Sequence, residues 1–531
     1  MSYKFKILAL STYFLGLFYF YLDFFLSDFN KTIGDEGDGR FVTIVSNHVS
    51  DSILGFKSFN NLGIFYPTTD TIAYSDLHLI LGLINIPFKF LSLNIFQAMT
   101  LSTMVLNLTG FVSMWVLLFR YLRIERYLSL LGALLFQISS ANVISVSSHP
   151  QLSTIYMVPI FGIIIFEIFL SSKNRFYLSI FLGIFTSLIF LNSVYIFYGL
   201  IIGFIIFSTV YTFSNLPKFL YNIKVILLNF FVFLLSFLSL SSPMITKYYD
   251  LSKKIGFRSW EEVDPFILPI SNWINVGNNN FLWNPILQYL SKSIDLKLDF
   301  HEVTYNPTPI MWLVIISSLS IIRNHKLFRY LFLTGILTLV VSTKFMNFSL
   351  WEIIYQIPFF DGIRAVSRIN LIGNLIFIIV ISIFLNIIYT KFKKIKIFVI
   401  FIFLLIIIEQ IQIKKNFNID YKDQLKYYST ANQKPNSCLY FYINSDLTKR
   451  PQAFLQMDSF LVSYLSKSPT LNGYSGKTPL NWSLNSVGDP SYIERISNYV
   501  TINKLNIQTI CELDLTTLTW YPPITTKKGS S

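Results

Sequence analysis

Charged residues and cysteines are scarce in this sequence, and the common metal, redox and nucleotide motifs are missing from it. Only 13% of the 531 residues are charged, whereas a soluble domain carries about a quarter. No CxxC, HExxH or Walker loop occurs, so none of these signatures identifies a function. The only two cysteines, Cys438 and Cys511, would form a disulfide in an oxidising compartment, and the alternative is two buried thiols.

Apolar sequence, by contrast, is abundant. Hydrophobic residues make up 53% of the chain and aromatic residues 17%, and the mean hydropathy is +0.54. Several windows of about twenty residues contain almost no charge, which predicts a polytopic α-helical membrane protein. The net charge of +14 would suggest nucleic acid for a soluble protein. Here we expect no nucleic-acid partner, because the basic residues concentrate in short loops between apolar runs.

About eleven transmembrane helices are predicted from these runs, near residues 7–26, 96–119, 127–146, 152–171, 176–192, 194–213, 222–242, 308–322, 328–343, 370–389 and 396–413. Every second connection is short and basic, as the positive-inside rule requires of cytoplasmic loops. We therefore predict a multi-pass protein of the cell (cytoplasmic) membrane, with its N-terminus in the cytoplasm and its C-terminus outside. No small-residue cleavage site follows the first run, which favours a retained anchor.

Two long outer loops and a C-terminal domain follow from this topology. The loops are predicted at about 27–94 and 242–307. A proline and a lysine interrupt the apolar segment 77–93, and a span there would put every later basic loop on the wrong side, so we predict a helix in the membrane interface. The transmembrane domain covers 1–414. The more polar composition of 415–531 predicts a small α+β extracytoplasmic domain.

The first outer loop holds a dense group of charged and glycine residues. Residues 34–41 read Gly-Asp-Glu-Gly-Asp-Gly-Arg-Phe, which places Asp35, Glu36, Asp38 and Arg40 at the mouth of the first span. Carboxylates beside hydrocarbon are costly, so the cluster predicts a functional site. The alternative is a solvated turn, since glycine and aspartate are common in turns.

Two further places on the predicted outer face carry polar candidates. Tyr74 and Asp76 precede the interfacial helix, and Asp76 either caps that helix or belongs to the site. His149 and Gln151 lie between the third and fourth spans. A single histidine at a helix junction is more often structural. On the outer face, however, both side chains would point towards the same space as Asp35.

Arg364 and Arg368 lie in the connection between the ninth and tenth spans, on the side where the positive-inside rule does not predict them. Being four residues apart, they would share one face of a helix. Guanidinium groups bind phosphate bidentately, so the pair predicts a phosphate or pyrophosphate site. The alternative is interfacial snorkelling beside lipid headgroups.

Carboxylates in the first loop and arginines in a later loop together suit sugar transfer from a lipid-linked phosphate. Phosphate is a good leaving group, so one carboxylate is enough to take the proton of the acceptor hydroxyl. Cations are needed to hold the departing phosphate. A single displacement of this kind would invert the anomeric centre.

Several motifs in one order resemble those of the GT-C superfamily of membrane glycosyltransferases, and most closely a bacterial GT-C-like group related to the YfhO-like proteins. They are Gly-Asp-x-Gly-Asp-x-Arg-Phe, Tyr-Pro with Leu-Ala-Tyr-Ser-Asp, His-x-Gln, Pro-x-Phe-x-x-x-Arg-x-x-x-Arg and Asn-Gly-Tyr-Ser-Gly, present here at 34–41, 66–67 with 72–76, 149–151, 358–368 and 472–476. This sequence departs from those motifs at two places: Ile72 stands where Leu is usual, and the residues at 365–367 differ from those usual in the group.

The resemblance implies a GT-C-like fold and a transferase that uses a polyprenyl-phosphate-linked sugar, membrane lipids and a glycan, lipid or protein acceptor, without a cofactor. It implies a first-loop aspartate as base, Asp35 or Asp38, of which Asp35 is favoured as the first in the motif. The remaining substrate-binding candidates are Glu36, Arg40, Tyr74, Asp76, His149, Gln151, Arg364, Arg368, Asn472 and Tyr474.

Two other functions stay open from the sequence. A metal-dependent oligosaccharyltransferase would use Asp35, Glu36 and Asp38 as oxygen ligands of a divalent ion. A lipid or glycan transporter would need charged or broken helices at the bilayer midplane and internal repeats. The predicted spans contain few charges and no convincing repeat, so we rank the transporter below both enzymes.

Overall fold

A computed structural model describes residues 3–170, 173–446 and 450–522. Residue 171, the predicted end of the fourth span, lies outside this description, as do residues 523–531 of the predicted C-terminal domain. Within it, eight helices are long and apolar enough to cross a bilayer. They are Tyr3–Leu26, Ile95–Tyr121, Arg126–Ser148, Pro150–Leu170, Arg175–Asn192, Val194–Ser214, Ile223–Ile255 and Val366–Lys391.

These helices make the chain a polytopic helical membrane protein, as the hydropathy predicts. Their bounds agree with eight of the predicted spans to within a few residues, except that the seventh helix continues to Ile255. The predicted eighth, ninth and eleventh spans correspond to shorter helices, Pro309–Ser317, Lys326–Val341 and Lys396–Glu409. The segment predicted to lie in the interface forms the helix Leu79–Phe90.

The chain forms two compact units. Unit 1 consists of residues 1–25, 103–242 and 257–416, and unit 2 of residues 26–102, 243–256 and 417–531. Each unit is therefore assembled from segments that are far apart in the sequence. Residues 417–531 share unit 2 with most of the predicted first outer loop.

Unit 1 is mostly helical. Besides the long helices it has short α-helices at Leu216–Tyr221, Trp260–Val263, Asn284–Leu290 and Leu350–Tyr355, and a sheet of the strands Leu268–Pro269, Thr343–Phe345 and Phe348–Ser349. In that sheet the second strand lies between the other two, parallel to the first and antiparallel to the third. One buried cluster contains Trp351, Val263, Ile267 and three side chains of the segment that carries the predicted arginine pair.

Unit 2 is mixed α and β. Its α-helices are Asp38–Ile53, Leu79–Phe90, Tyr421–Asn432, Gln452–Ser466 and Tyr492–Ile502, and its strands are Lys31–Thr32, Ile419–Asp420, Tyr440–Asn444, Ile510–Asp514 and Thr519–Tyr521. The last three strands form one sheet, in which Ile510–Asp514 is central, parallel to Tyr440–Asn444 and antiparallel to Thr519–Tyr521.

The two cysteines lie at this sheet and form a disulfide. Cys438 precedes the strand Tyr440–Asn444, and Cys511 lies in the central strand. Their Cα atoms are 5.4 Å apart, within the range that a disulfide spans. The structure thus shows the two cysteines as a disulfide and not as two buried thiols, a choice that the sequence leaves open.

Candidate functional site

The acidic motif of unit 2 is shaped by two glycines whose backbones touch. Gly34 has φ +102°, which disfavours any residue with a side chain. A Cβ atom on Gly39 would lie 2.4 Å from the Cα of Gly34. These two positions therefore require glycine, and their contact closes residues 34–37 into a tight loop directly before the helix Asp38–Ile53.

Asp35 closes this loop. One of its carboxylate oxygens, Oδ1, accepts the backbone N–H groups of Gly37 at 3.1 Å and Gly39 at 2.9 Å. Such bonds satisfy N–H groups at the helix start that have no partner inside the helix. Asp35, predicted as the base, thus has a structural task in the loop.

Arg40 is the buried anchor of the motif. Its side chain has no exposed surface, and its Nη1 forms an ion pair with Asp458 in the helix Gln452–Ser466. Arg450 adds two bonds to the same carboxylate, at 2.6 and 2.9 Å, and also lies 2.9 Å from Glu36. Glu36 lies 3.3 Å from Nη2 of Arg40. Glu36 and Arg40, predicted to bind substrate, therefore belong to a network of four charges that fastens the loop.

Asp38 differs from its neighbours in the motif. It is the first residue of its helix and, like Asp35 and Glu36, it is half-buried. The hydroxyl of Tyr474, another predicted site residue, donates to its Oδ1 at 2.7 Å. The Tyr474 ring also packs edge-on against Phe41 at 5.9 Å. The structure thus brings together two predicted residues that are 436 positions apart.

The other predicted residues of unit 2 have supporting positions. Asn472 is buried, and its side chain bonds the backbone of Ile443 and the hydroxyl of Tyr492, both at 2.9 Å. Tyr74 is also buried, and its carbonyl accepts the Ser475 hydroxyl at 2.8 Å. The expectation that Asp76 caps the interfacial helix is wrong.

The cap position of that helix belongs to His78, and the helix begins at Leu79. The backbone of His78 is left-handed, with φ 56°. This residue lies between Asp76 and the first turn, so Asp76 is not the N-cap residue of the helix.

In unit 1, the predicted arginine pair does not share a helix. A short 3-10 helix begins only at Val366, after Arg364, and leads into the helix Asn370–Lys391. Ile363, Val366 and Ile369 are buried in the cluster around Trp351. The packing of these apolar residues holds the backbone around both arginines in a conformation that is not one continuous helix. The two arginines therefore do not share the helix face that their spacing predicted.

Arg368 is buried against a carboxylate that the sequence does not single out. Its Nε lies 2.9 Å from Oε2 of Glu302, and its Nη2 pairs with Oε1 of the same residue. That Nη2 also lies 2.9 Å from Nε2 of His149, which is 3.1 Å from Glu302. Burial alone raises the pKa of Glu302, but Arg368 and His149 outweigh it and hold that pKa well below its usual range.

A metal ion is one possible occupant of this cluster. Among the described residues, His149, His301 and Glu302 form the one group of three whose ligand atoms all lie within 4.8 Å of one another. However, the guanidinium of Arg368 already contacts the same atoms of His149 and Glu302. A divalent ion would have to displace this cation or sit beside it, so the donor set does not favour a metal.

Arg364 and Gln151 keep features expected of the substrate-binding residues that the sequence predicts. Arg364 is half-buried, its guanidinium carbon lies 4.8 Å from the centre of the Phe266 ring, and it has no ion-pair partner among the described residues. Its Nε is a buried donor that has no acceptor within the part of the chain that the structure describes. Gln151 is almost fully buried, and its Oε1 has no donor in the described part of the chain.

Four residues of these networks escape sequence reasoning: Asp458, Arg450, His301 and Glu302. The last two are adjacent in the predicted second outer loop. Because the chain has only 5 histidines, this His-Glu pair is a signal, although a weak one. Nothing local marks Asp458, which lies within a helix that also carries apolar residues. Their roles depend on contacts between distant segments.

Comparisons with protein-family models and with curated proteins give no match for this sequence. The resemblance to membrane glycosyltransferases therefore rests on the order of the motifs in this chain, and the chemistry has to be argued from the two sets of side chains described above.

Proposed function

We propose that the protein is an inverting glycosyltransferase of the cell membrane that moves a sugar from a polyprenyl-phosphate-linked donor to an extracytoplasmic glycan, lipid or protein. The proposal includes eleven spans, a cytoplasmic N-terminus and an extracytoplasmic segment from residue 415. The alternating basic loops support this orientation. Lipid-linked donors are confined to the bilayer, which suits an enzyme made largely of apolar helices.

The observation that carries the proposal is the contact between Asp38 and Tyr474: the carboxylate lies at a helix start and accepts the Tyr474 hydroxyl. A general base needs a carboxylate that a substrate can reach. Asp35 commits one oxygen to two backbone N–H groups, and Glu36 faces two arginines. We therefore assign the base to Asp38, with Asp35 as the residue that shapes the loop.

Arg364 is proposed to bind the phosphate of the donor. A guanidinium without a carboxylate partner can offer its charge to a ligand, whereas Arg368 is neutralised by Glu302. Positive charge at the leaving group lowers the barrier as negative charge develops there. Arg368, His149 and Gln151 would then support this segment from within.

The test measures release of polyprenyl phosphate from labelled polyprenyl-phosphate sugars by the full-length protein in liposomes. Asp38→Asn keeps an acceptor for Tyr474 and removes the base, so we expect the rate to fall by about 10²–10⁴-fold. Asp35→Asn is the matched control, because an asparagine Oδ1 can still accept both backbone N–H groups. We expect it to cost much less than Asp38→Asn.

A stronger loss in Asp35→Asn would return the role of base to Asp35. Wild-type rates in both variants, or no release from any donor sugar by the wild type, would overturn the transferase. In the same assay Arg364→Gln should raise the KM for the donor, because it removes a charge that binds phosphate in the ground state as well. An unchanged KM would remove Arg364 from the site.

The effect of a chelator on activity distinguishes this mechanism from the metal-dependent alternative. Among the described residues, Asp35, Glu36 and Asp38 do not form a group of converging ligand atoms, because only the cluster of His149 meets that condition. We therefore expect activity to survive EDTA. Abolition by EDTA with recovery on adding a divalent ion would favour the oligosaccharyltransferase-like reaction.

A further inference from the structure

A polar cleft of about 240 Å³ lies within unit 1 and contains none of the residues assigned to the proposed reaction. Most of its walls consist of amide, hydroxyl and charged side chains, among them Asn279, Asp299, Thr304 and Gln412. Apolar groups, including Leu298, line the rest. The cleft thus offers hydrogen-bond donors, acceptors and a small hydrocarbon surface within one space.

Gln412 supplies a buried acceptor that lacks a donor. The residue is 1% exposed. Its Nε2 donates to the Ser140 hydroxyl at 2.6 Å and to the Val276 carbonyl at 3.2 Å. Its Oε1 is buried and has no hydrogen-bond partner among the described residues. Leaving a buried acceptor unpaired costs free energy, so a rotation of this carboxamide that brought the oxygen to a ligand hydroxyl would be stabilising.

Asn279 adds a second available amide. Its side chain lines the cleft and is half-buried, and among the described residues only its backbone carbonyl makes a hydrogen bond, accepting the Ile413 N–H at 2.8 Å. A carboxamide offers two donors and an acceptor. Together with Gln412, it gives the cleft fixed and adjustable hydrogen-bonding groups.

We propose that this cleft is a binding site for a single sugar ring. Hydroxyl groups both donate and accept, which matches walls that mix carboxamide, carboxylate and hydroxyl groups. The C–H face of the ring would contact the apolar wall at Leu298. The cleft is smaller than the 300–1,000 Å³ or so of sites for drug-sized ligands, and it holds the volume of about eight water molecules. These dimensions suit one ring.

The test uses ligand-detected saturation-transfer NMR with the full-length protein in a detergent that has no sugar headgroup. The probes are glucose, galactose, mannose, N-acetylglucosamine, N-acetylgalactosamine and glucuronic acid, with cyclohexanol as a ring of similar size that lacks the hydroxyl pattern. We expect a signal from at least one sugar and none from cyclohexanol. Asn279→Trp should abolish that signal by filling the cleft.

Two further variants make the assignment specific. Asn279→Ala should weaken the affinity about fivefold to tenfold, which is the effect of losing one hydrogen bond. Asn324→Trp changes an exposed asparagine that does not line the cleft, so the signal should remain. Unchanged thermal unfolding midpoints would show that these substitutions leave the fold intact.

The inference is overturned if no sugar gives a signal, which would mean that the cleft holds water only, or if Asn279→Trp leaves the signal in place. Its failure differs from failure of the proposed transferase. Asp38→Asn should retain sugar binding here, and Asn279→Trp tests the cleft whether or not the chain transfers sugar.

Discussion

Each compact unit contains a buried arginine paired with a buried carboxylate, but the two pairs differ in how much support they have. In unit 2, Asp458 is bonded by both Arg40 and Arg450. In unit 1, Arg368 is the only arginine of the described residues that pairs with Glu302, and His149 and His301 complete that cluster. The first carboxylate would keep an arginine if one were lost, whereas the second would keep only its two histidine partners.

The comparison also shows a division of labour within each motif. In unit 2 the buried Arg40 fastens the loop while the neighbouring Asp38 stays half-buried. In unit 1 the buried Arg368 holds the segment while Arg364 remains without an ion-pair partner. In unit 2 three charges of the motif, those of Asp35, Glu36 and Arg40, thus support the structure, and in unit 1 Arg368 does so. The charge proposed to meet the substrate is negative in unit 2 and positive in unit 1.

The largest effect should come from Arg368→Met. The substitution leaves Glu302 buried without its cation, so we expect the free energy of unfolding to fall by about 3–5 kcal/mol. Urea unfolding of the protein in detergent measures it. Adding Glu302→Gln should restore part of the loss, since the uncompensated charge is then removed. A decrease below about 1 kcal/mol would show that the pair does not stabilise unit 1.

Acid should destabilise unit 2 before unit 1, through His48. Burial and the nearby Lys57 lower the pKa of His48 from 6.5 to about 4. The unfolded chain therefore binds the proton first, and stability present above pH 6.5 is lost as the pH falls towards 4, by about 3 kcal/mol in all. Because Arg368 and His149 hold the pKa of Glu302 well below 4.5, the loss from Glu302 comes only at lower pH.

Hydrogen exchange of residues 41–58 at pH 7 and pH 5 measures the effect of His48. The wild type should exchange faster at pH 5, corrected for intrinsic rates. His48→Gln should lose most of this pH dependence, because glutamine keeps a donor for the Ser58 carbonyl, now 2.9 Å from Nε2 of His48, and does not titrate. Equal pH dependence in both proteins would contradict the assignment.

Arg40→Met should cost less than Arg368→Met, about 1–3 kcal/mol. Arg450 would continue to hold Asp458 through two hydrogen bonds. Removing Arg450 as well should raise the cost to that of the unit 1 variant, because Asp458 then loses both cations. The same urea unfolding measures all of these variants, and equal costs for the two single variants would break the comparison.

The smallest effect is expected for Tyr474→Phe, which removes one hydrogen bond to Asp38. The release of polyprenyl phosphate should slow by about tenfold, the effect of about 1.4 kcal/mol. Stability should change little because the ring and its contact with Phe41 remain. Tyr442→Phe, which removes a similar bond to Glu512, is the matched control and should leave the rate unchanged.

Local pattern was a sound guide to the long helices. Apolar runs of bilayer length predicted the eight long helices, since a helix satisfies its own backbone groups and needs no distant partner. The periodicity argument failed at Arg364 and Arg368, where tertiary packing of Ile363 and Val366 replaces the expected helix. The expected cap failed at Asp76 because the left-handed His78 intervenes.

The sequence by itself determined that this chain folds into bilayer-length helices and that two glycines introduce a tight acidic loop, because both depend on neighbouring residues. Only the tertiary structure decided which charges are neutralised. Arg40 meets Asp458 across 418 positions and Arg368 meets Glu302 across 66. An ion pair depends on distance and on removal from water, and neither can be obtained from spacing along the chain.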